Sequence, residues 1–159
     1  MERGVRLLTR EDAAACAVLH ERCFTEGDNW TAFDFRDLLT QPSTLGVACE
    51  NSDRLAGFIL FQKVPPDAEM LTLAVSPDFR RKGLATQLLH HACLLLGQYG
   101  TDRLLLDVAA DNAGAIAFYA AHGFSEDGRR KAYYRRGGSA VDALLMSRPL
   151  AGQIPESRA

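Results

Sequence analysis

The sequence predicts an α/β domain of the α+β type, with a mixed, mostly antiparallel sheet of six or seven strands and about four helices. Two observations predict this class. Strand and helix patterns follow one another as a strand, two helices, three strands, a helix, a strand, a helix and two strands. Strand–helix–strand crossovers, which join parallel neighbours, occur only in the middle of that order. We therefore expect parallel pairing there and antiparallel pairing elsewhere.

The first predicted elements are a short strand at residues 5–8 and two helices. Thr9 and Thr31 each precede an aspartate by three residues, a pattern typical of a capped helix start. The first helix is expected to continue to about Arg22, and the second to end before Pro42.

Three strands follow. Residues 45–50 and 55–63 have strand patterns joined by a turn at 51–53. Residues 69–75 are apolar at nearly every position, which indicates a central strand covered on both faces. Pro77 is expected to end it.

The second half of the chain alternates helices and strands. A broad apolar stripe predicts a long helix at residues 83–99, and a buried strand is expected at 103–108. A shorter helix at 113–122 precedes a final hairpin of strands at 124–134 and 140–148.

Length and composition indicate one globular domain. The 18 basic and 20 acidic residues give a net charge of −2, which argues against a broadly cationic nucleic-acid binder. No stretch approaches the roughly 20 apolar residues that span a bilayer, and the segment after Met1 has no signal-peptide core. We expect a single domain over residues 1–150, a disordered tail over 151–159 and a cytoplasmic location.

The cysteines have no paired metal-ligand spacing, so we expect reduced thiols and no metal. No motif ties a histidine to any of them, and a catalytic cysteine is not expected. The four cysteines are Cys16, Cys23, Cys49 and Cys93.

The most informative stretch is residues 74–86, where a buried strand runs into a basic turn and a helix. Gly83 and Ala85 leave the backbone bare at the helix start, where free N–H groups and the helix dipole attract anions. Three consecutive basic residues add positive charge: Arg80, Arg81 and Lys82. Alone, this loop fits a solvated basic turn equally well.

Two nucleotide-binding motifs are excluded for the same loop. A Walker loop needs Gly-Lys followed by Ser or Thr, whereas Lys82 precedes Gly83. A dinucleotide fingerprint needs three glycines, and the loop has one. The expected anion is therefore the phosphate group of another ligand.

Asp107, Asn112 and Tyr119 form a second constellation. Asp107 lies at the end of a buried strand, where burying a carboxylate costs free energy unless it has a polar partner or a functional role. Asn112 and Tyr119 share one helical face about 10 Å apart. Structural explanations also exist: Asp107 as a buried acid bonded to backbone, and Tyr119 as a core aromatic with a satisfied hydroxyl.

Together these features resemble the GCN5-related N-acetyltransferase (GNAT) superfamily. The resemblance extends from about residue 5 to 150 and rests on Arg-x-x-Gly-x-Ala at 80–85, Asn112, and Ala-Phe-Tyr-x-x-x-Gly-Phe at 117–124. Further features are similar to the ribosomal-protein-alanine N-acetyltransferases. They are Cys23-Phe24 with Trp30 downstream, Leu73-Ala74-Val75, Asp111-Asn112, and Arg129-Arg130-x-x-Tyr133-Tyr134 followed by Asp142-Ala143-Leu144.

The resemblance implies a sheet splayed in a V between its fourth and fifth strands, with acetyl-CoA in the gap. The pantetheine would follow the fourth strand as an added strand, and the pyrophosphate would rest on N–H groups of the basic loop. The implied cofactor contacts are Leu73, Ala74, Val75, Arg80, Arg81, Lys82, Gly83, Leu84, Ala85, Thr86 and Asn112.

The resemblance also implies direct acetyl transfer to a protein N-terminal amine, namely the N-terminal alanine of a small-subunit ribosomal protein. Asp107 would be the general base acting through water, where the family typically has Glu, and Tyr119 the general acid. Trp30 and Tyr134 would bind the acceptor peptide. The implied partners are acetyl-CoA and that peptide, without direct nucleic-acid or membrane contact, and we expect a monomer.

Other functions stay open at this point. An enzyme of this type could acetylate a small amine or a lysine side chain instead, or the chain could bind acetyl-CoA without turnover. Residues 129–136 contain five basic residues and two tyrosines, which is also compatible with a non-catalytic RNA-binding module.

Overall fold

In the computed structural model, residues 3–24, 30–136 and 138–150 are described, and they form a seven-stranded sheet with helices on both faces. The strands are β1 (Arg3–Leu7), β2 (Thr44–Asn51), β3 (Arg54–Val64), β4 (Asp67–Val75), β5 (Arg103–Ala109), β6 (Ser125–Arg136) and β7 (Ser139–Pro149). The α-helices are α1 (Ala13–Cys23), α2 (Ala32–Thr40), α3 (Leu84–Gln98) and α4 (Ala113–Ala121). The predicted tail at 151–159 lies outside the described residues.

The strand order is β1-β2-β3-β4-β5-β7-β6, which confirms the predicted mixed sheet. β4 and β5 are parallel, because α3 carries the chain back across the sheet between them. The other strand pairs of the described residues are antiparallel. β4 lies in the centre of the sheet, as its continuous apolar pattern predicts.

Helices cover the two faces of the sheet through separate hydrophobic clusters. Along β3, Phe58 and Leu60 pack with residues of α1 and α2, whereas Ile59 and Phe61 pack with residues of α3. This alternation follows from the two-residue period of a strand. Ile116 of α4 packs against the cluster that contains the α3 residues. One face therefore carries α1 and α2, and the other carries α3 and α4.

β4 and β5 pair over a short stretch and then separate. The pairing joins Asp67–Glu69 to residues 103–105, after which neither strand has the other as a partner in the described ladder. Beyond that point β3 continues to hold β4 as far as Val75, and β7 holds β5 as far as Ala109. Each edge of the opening is thus supported by its outer neighbour, and the expected V-shaped gap between the fourth and fifth strands is confirmed.

The start of the first helix differs from its predicted position. Thr9 precedes a 3-10 turn at Arg10–Asp12, and α1 begins only at Ala13. The Asp12 carboxylate accepts a hydrogen bond from the Thr9 N–H at 2.8 Å and another from the Arg6 guanidinium at 2.9 Å. These bonds draw Asp12 back toward β1, and such tightened turns are frequent at helix starts.

Arg6 ties this turn to the sheet, because its guanidinium also donates to Glu50 of β2 at 2.8 Å. The hydrogen bond from Arg6 lowers the pKa of Asp12 below its usual value. α1 is therefore anchored at its first turn by a charged network. In the described part of the chain, no helix has the length and apolar character needed to cross a membrane.

Candidate active site

A cleft of about 520 Å³ lies where β4 and β5 separate. Its lining combines both strands with α1, α4 and β6. The lining residues are His20, Cys23, Phe24, Trp30, Glu69, Met70, Leu71, Thr72, Leu73, Leu106, Asp107, Val108, Ala109, Asn112, Ala115, Tyr119, Tyr133 and Tyr134. The cleft therefore brings together all the predicted catalytic and acceptor-binding residues.

The cleft opens toward both faces of the sheet. Leu106 and Val108 pack with the cluster on the α3 face, so the Asp107 side chain between them points to the α1 face. The same alternation around Met70, which also belongs to the α3-face cluster, turns Glu69 toward the α1 face. Two carboxylates thus line the α1 side of the gap.

Asp107 stands beyond the paired stretch of β5, opposite Leu145 of β7, and is half-buried. Glu69 stands at the last paired position of β4, opposite Leu105, and is also half-buried. Sequence patterns did not identify Glu69 as a site residue. Its position relative to Asp107 depends on the β4–β5 register, which the sequence alone does not provide.

Tyr119 lies on the α4 side of the cleft. Its hydroxyl donates to Met70 Sδ at 3.6 Å, and its ring stands edge-on to Phe124 with centroids 5.6 Å apart. Burial raises the pKa of Tyr119 to about 12, and the nearby Tyr134 contributes to the rise. The hydroxyl therefore keeps its proton at neutral pH.

Asn112 caps the first turn of α4. Its side-chain oxygen accepts the Ala115 N–H at 3.1 Å, and the residue is exposed at the rim of the cleft. Because the oxygen serves the helix cap, the amide NH2 is the group that can donate to a ligand.

Backbone groups of β4 face the gap at alternate residues. Ser76 N–H donates to the Ala56 carbonyl of β3 at 2.8 Å. Successive residues of a strand direct their backbone groups to opposite edges. Those of Leu73 and Val75 therefore face the gap, whereas those of Ala74 face β3. Of the three predicted β4 contacts, two expose backbone polar groups to the opening.

The Val75 carbonyl accepts hydrogen bonds from two side chains that do not belong to the sheet. Cys23 Sγ donates to it at 3.3 Å and Arg80 Nε at 3.2 Å. Arg80, expected to add positive charge to the loop, is therefore folded back on the end of β4. Arg81 and Lys82 are exposed.

The predicted anion site has the backbone geometry of an open helix start. Gly83 precedes α3 with φ of 75°, in the left-handed region that glycine adopts without strain. The first hydrogen bond at this end runs from Gln87 N–H to the Gly83 carbonyl at 3.0 Å. The N–H groups of Leu84, Ala85 and Thr86 therefore have no acceptor within the helix. Residues 80–86 are not part of the cleft lining in the described chain.

Aromatic residues form much of the cleft wall around the predicted acceptor-binding residues Trp30 and Tyr134. Trp30 stacks on His20, with ring centroids 5.2 Å apart and an interplanar angle of 19°. Tyr133 and Tyr134 stand edge to face at 5.1 Å. His20, Cys23 and Tyr133 join the predicted Trp30 and Tyr134 in this lining. No motif marks His20, because it lies within an ordinary apolar helical pattern.

The described residues contain no group of three or more His, Cys, Asp or Glu side chains that could hold a metal ion. All four cysteines are free thiols. Burial raises the pKa of Cys16 to about 12 and also raises the pKa of Cys93. These two thiols are therefore unreactive at neutral pH.

Comparisons with known proteins agree on one family. The Acetyltransferase (GNAT) family profile matches residues 11–124. A [ribosomal protein bS18]-alanine N-acetyltransferase of Salmonella typhimurium is 40% identical over 99 residues, which are 62% of this chain and 67% of that protein. An N-alpha-acetyltransferase RimI of Mycobacterium tuberculosis is 32% identical over 145 residues, covering 89% of each. The crystal structure of the ribosomal-protein-S18-alanine N-acetyltransferase from Escherichia coli matches with a TM-score of 0.86 and 30% identity over 94% of both chains.

Proposed function

The chain belongs to the acetyltransferase (GNAT) family, and from this premise we propose that it acetylates the N-terminal alanine of a bS18-type ribosomal protein. Relatives from two bacteria support the N-terminal acceptor, because their names state acetylation of that alanine or of an α-amine. The observation that carries the proposal is the gap between β4 and β5, which has backbone donors at one edge and two carboxylates with an aromatic wall on its α1 side.

Acetyl-CoA is the acetyl donor in this proposal, and it supplies the activated thioester carbonyl. The fit rests on the edge of β4, where Leu73 offers its N–H and carbonyl, and Val75 its N–H, to an added strand-like arm. Asn112 offers its amide NH2 to the same arm. The N–H groups of Leu84 to Thr86 suit a pyrophosphate because they lie at the positive end of the α3 dipole.

The acceptor amine enters from the α1 side. An N-terminal amine has a pKa of about 8 and is largely protonated at neutral pH, so it must lose a proton before it attacks. We assign that proton to Asp107, which receives it through a water molecule. The neutral nitrogen then attacks the thioester carbonyl, polarised by the Val75 N–H, without a covalent enzyme intermediate.

Tyr119 acts on the leaving group. The new N–C bond forms as the C–S bond breaks, and the departing sulfur takes the electron pair and then a proton. The acylated nitrogen gives up its surplus proton, and this proton restores the Tyr119 phenol. The Tyr119 hydroxyl donates to that sulfur, since a pKa of about 12 keeps the phenol protonated while the amine is being neutralised. The proposed acid is thus in its working form at neutral pH.

Glu69 is the second carboxylate on the α1 side. It lies within the paired stretch of β4, at the closed end of the gap, whereas Asp107 lies where the strands have parted. We therefore assign Glu69 to attraction of the protonated amine and Asp107 to proton removal.

The basic segment of β6 supports a peptide-facing role more than an RNA-binding one. Arg129 pairs with Asp142 at 3.0 Å, and Arg130 lies over the Tyr133 ring at 5.4 Å. Part of the charge that would attract RNA is therefore used in local contacts. A bS18-type acceptor also implies a cytoplasmic site of action, where ribosomes assemble.

Mass spectrometry of an acceptor peptide tests the proposal. The peptide begins with the alanine of a bS18-type protein and contains an internal lysine, and the control peptide has a blocked N-terminus. With acetyl-CoA, we expect one acetyl group on the α-amine and none on the control. Acetylation of lysine alone, or no reaction, would refute the N-terminal acceptor.

A binding measurement separates the enzyme from an RNA-binding module. Acetyl-CoA at concentrations above its dissociation constant should raise the melting temperature of the protein. RNA binding that falls steeply with salt, together with a melting temperature unaffected by acetyl-CoA, would favour the module instead.

A further inference from the structure

Asp142 of β7 faces an irregular stretch of β6. Arg130 pairs with Ala143 and Tyr134 pairs with Val141, so three residues of β6 stand against Asp142 alone. We refer to these three residues, 131–133, as the β6 bulge. Bulges of this kind bend a strand and redirect its side chains, and they are frequent beside active sites.

The Asp142 carboxylate holds the β6 bulge with both oxygens. Oδ1 accepts the Ala132 N–H at 2.9 Å, and Oδ2 accepts from Arg129 Nη1 at 3.0 Å. Ala132 has φ of 53°, in the left-handed region that is unfavourable for alanine. The bond to Asp142 therefore helps to stabilise a backbone conformation that Ala132 would not adopt by itself.

Asp142 is itself fixed to the strand that carries the proposed base. Its carbonyl accepts the Ala110 N–H at 2.8 Å, directly after β5 ends. The bonds from Ala132 and Arg129 also lower the pKa of Asp142. The carboxylate is therefore charged at neutral pH and keeps a fixed position relative to β5.

The β6 bulge has a direct consequence for the cleft. In a regular strand, consecutive side chains point to opposite faces, so the rings of two neighbouring residues lie on opposite sides of the sheet and do not touch. Tyr133 and Tyr134 are consecutive, yet both line the cleft and their rings contact each other at 5.1 Å. The irregular backbone at residues 131–133 makes this arrangement possible.

We propose that Asp142 is a positioning residue for the acceptor: its carboxylate holds the β6 bulge so that Tyr133 and Tyr134 together form the wall that contacts the first residues of the acceptor peptide. The inference rests on the proposed function. Asp142 acts through the two tyrosines and does not touch the reacting atoms.

The test compares Asp142→Asn with Asp127→Asn in steady-state kinetics with the alanine peptide and acetyl-CoA. Asp127 is an exposed aspartate of β6, so its variant removes the same charge from the same hairpin. Asp142→Asn should raise the KM for the peptide about tenfold, the scale of one lost hydrogen bond to a charged group. Its kcat and its KM for acetyl-CoA should stay near wild type, and Asp127→Asn should change neither KM.

A second variant separates positioning from folding. Adding Ala132→Gly to Asp142→Asn removes the steric cost of the left-handed conformation, so the peptide KM should return toward wild type. All variants are compared below their lowest melting temperature. A double variant that regains melting temperature but not the peptide KM would overturn the inference.

The two proposals fail in distinguishable ways. If the wild-type chain does not acetylate the α-amine of the alanine peptide, both the proposed function and this inference are refuted. If the wild type acetylates the peptide while Asp142→Asn has an unchanged peptide KM, only the role of Asp142 is refuted. An equal rise in both KM values would also refute it, because it would indicate a general loss of structure.

Discussion

The two halves of the cleft are built in opposite ways. In the proposed cofactor half, the groups offered to a ligand belong largely to the backbone, at the free edge of β4 and at the open start of α3. In the proposed acceptor half they are side chains, among them Trp30, Asp107 and Tyr134, which are far apart in the sequence. Backbone recognition needs a particular chain geometry, whereas side-chain recognition needs particular residues brought together by the fold. The two halves should therefore respond differently to substitution.

Asp107→Asn should have the largest effect and act on kcat. An amide cannot accept the amine proton, so kcat should fall about 10²- to 10⁴-fold, with little change in the KM for acetyl-CoA. Glu69→Gln is the matched control on the same side of the cleft, and it should mainly raise the KM for the peptide, measured by initial rates. A larger loss of kcat in Glu69→Gln would transfer the base assignment to Glu69.

Tyr119→Phe should have the next largest effect. It removes the donor to the departing sulfur and should lower kcat about 10²-fold. Since the pKa of Tyr119 is about 12, the wild-type rate should rise as the amine loses its proton near pH ~8, with no decline caused by this phenol over that range. This assignment would be contradicted if the wild-type rate declined between pH ~8 and about 12 while the rate of Tyr119→Phe did not.

Gly83→Ala should weaken the cofactor half alone. With φ of 75°, an added Cβ meets no atom within 4 Å but forces a left-handed alanine, which costs about 1 kcal/mol. We expect a several-fold rise in the KM for acetyl-CoA and an unchanged peptide KM. Gly100→Ala, at φ of 80° beyond the other end of α3, carries the same backbone cost. Gly100→Ala should lower the melting temperature as much as Gly83→Ala does, without affecting the KM for acetyl-CoA or for the peptide.

Asp12→Asn should have the smallest effect, confined to stability. It breaks the Arg6 network at the start of α1, which should cost about 1 kcal/mol in urea unfolding. Because the folded pKa of Asp12 is lowered, its contribution is present above its ordinary value of about 3.9 and is lost as pH falls through the folded value. The difference from wild type should therefore shrink in acid. Glu11→Gln, at an exposed ion pair of 3.8 Å, is the control and should change little.

The sequence predicted the fold well because its signals are local. Strand alternation, threonine caps and the glycine at position 83 depend on neighbouring residues, and they led to the correct element order and the mixed sheet. The start of α1 was misplaced, since the pull of Arg6 on Asp12 acts across a turn.

The geometry of the cofactor half could be predicted from the sequence more fully than that of the acceptor half. The proposed cofactor loop is one continuous stretch, so its geometry could be inferred from Gly83 and the helix that follows. Glu69 was missed because its place beside the cleft depends on the β4–β5 register. The role of Asp142 could not be inferred either, because it depends on the β6 bulge, which no local sequence pattern predicts.

The short pairing of β4 with β5 also bears on the order of events in catalysis. Because only three residue pairs join β4 to β5, the opening passes through the whole thickness of the sheet, and we propose that each substrate enters from its own face. On this proposal both can be bound at once, so initial-rate lines for the two substrates should intersect rather than run parallel. A single molecule that joins a coenzyme arm to an alanine peptide would then occupy both entrances and gain affinity from each half.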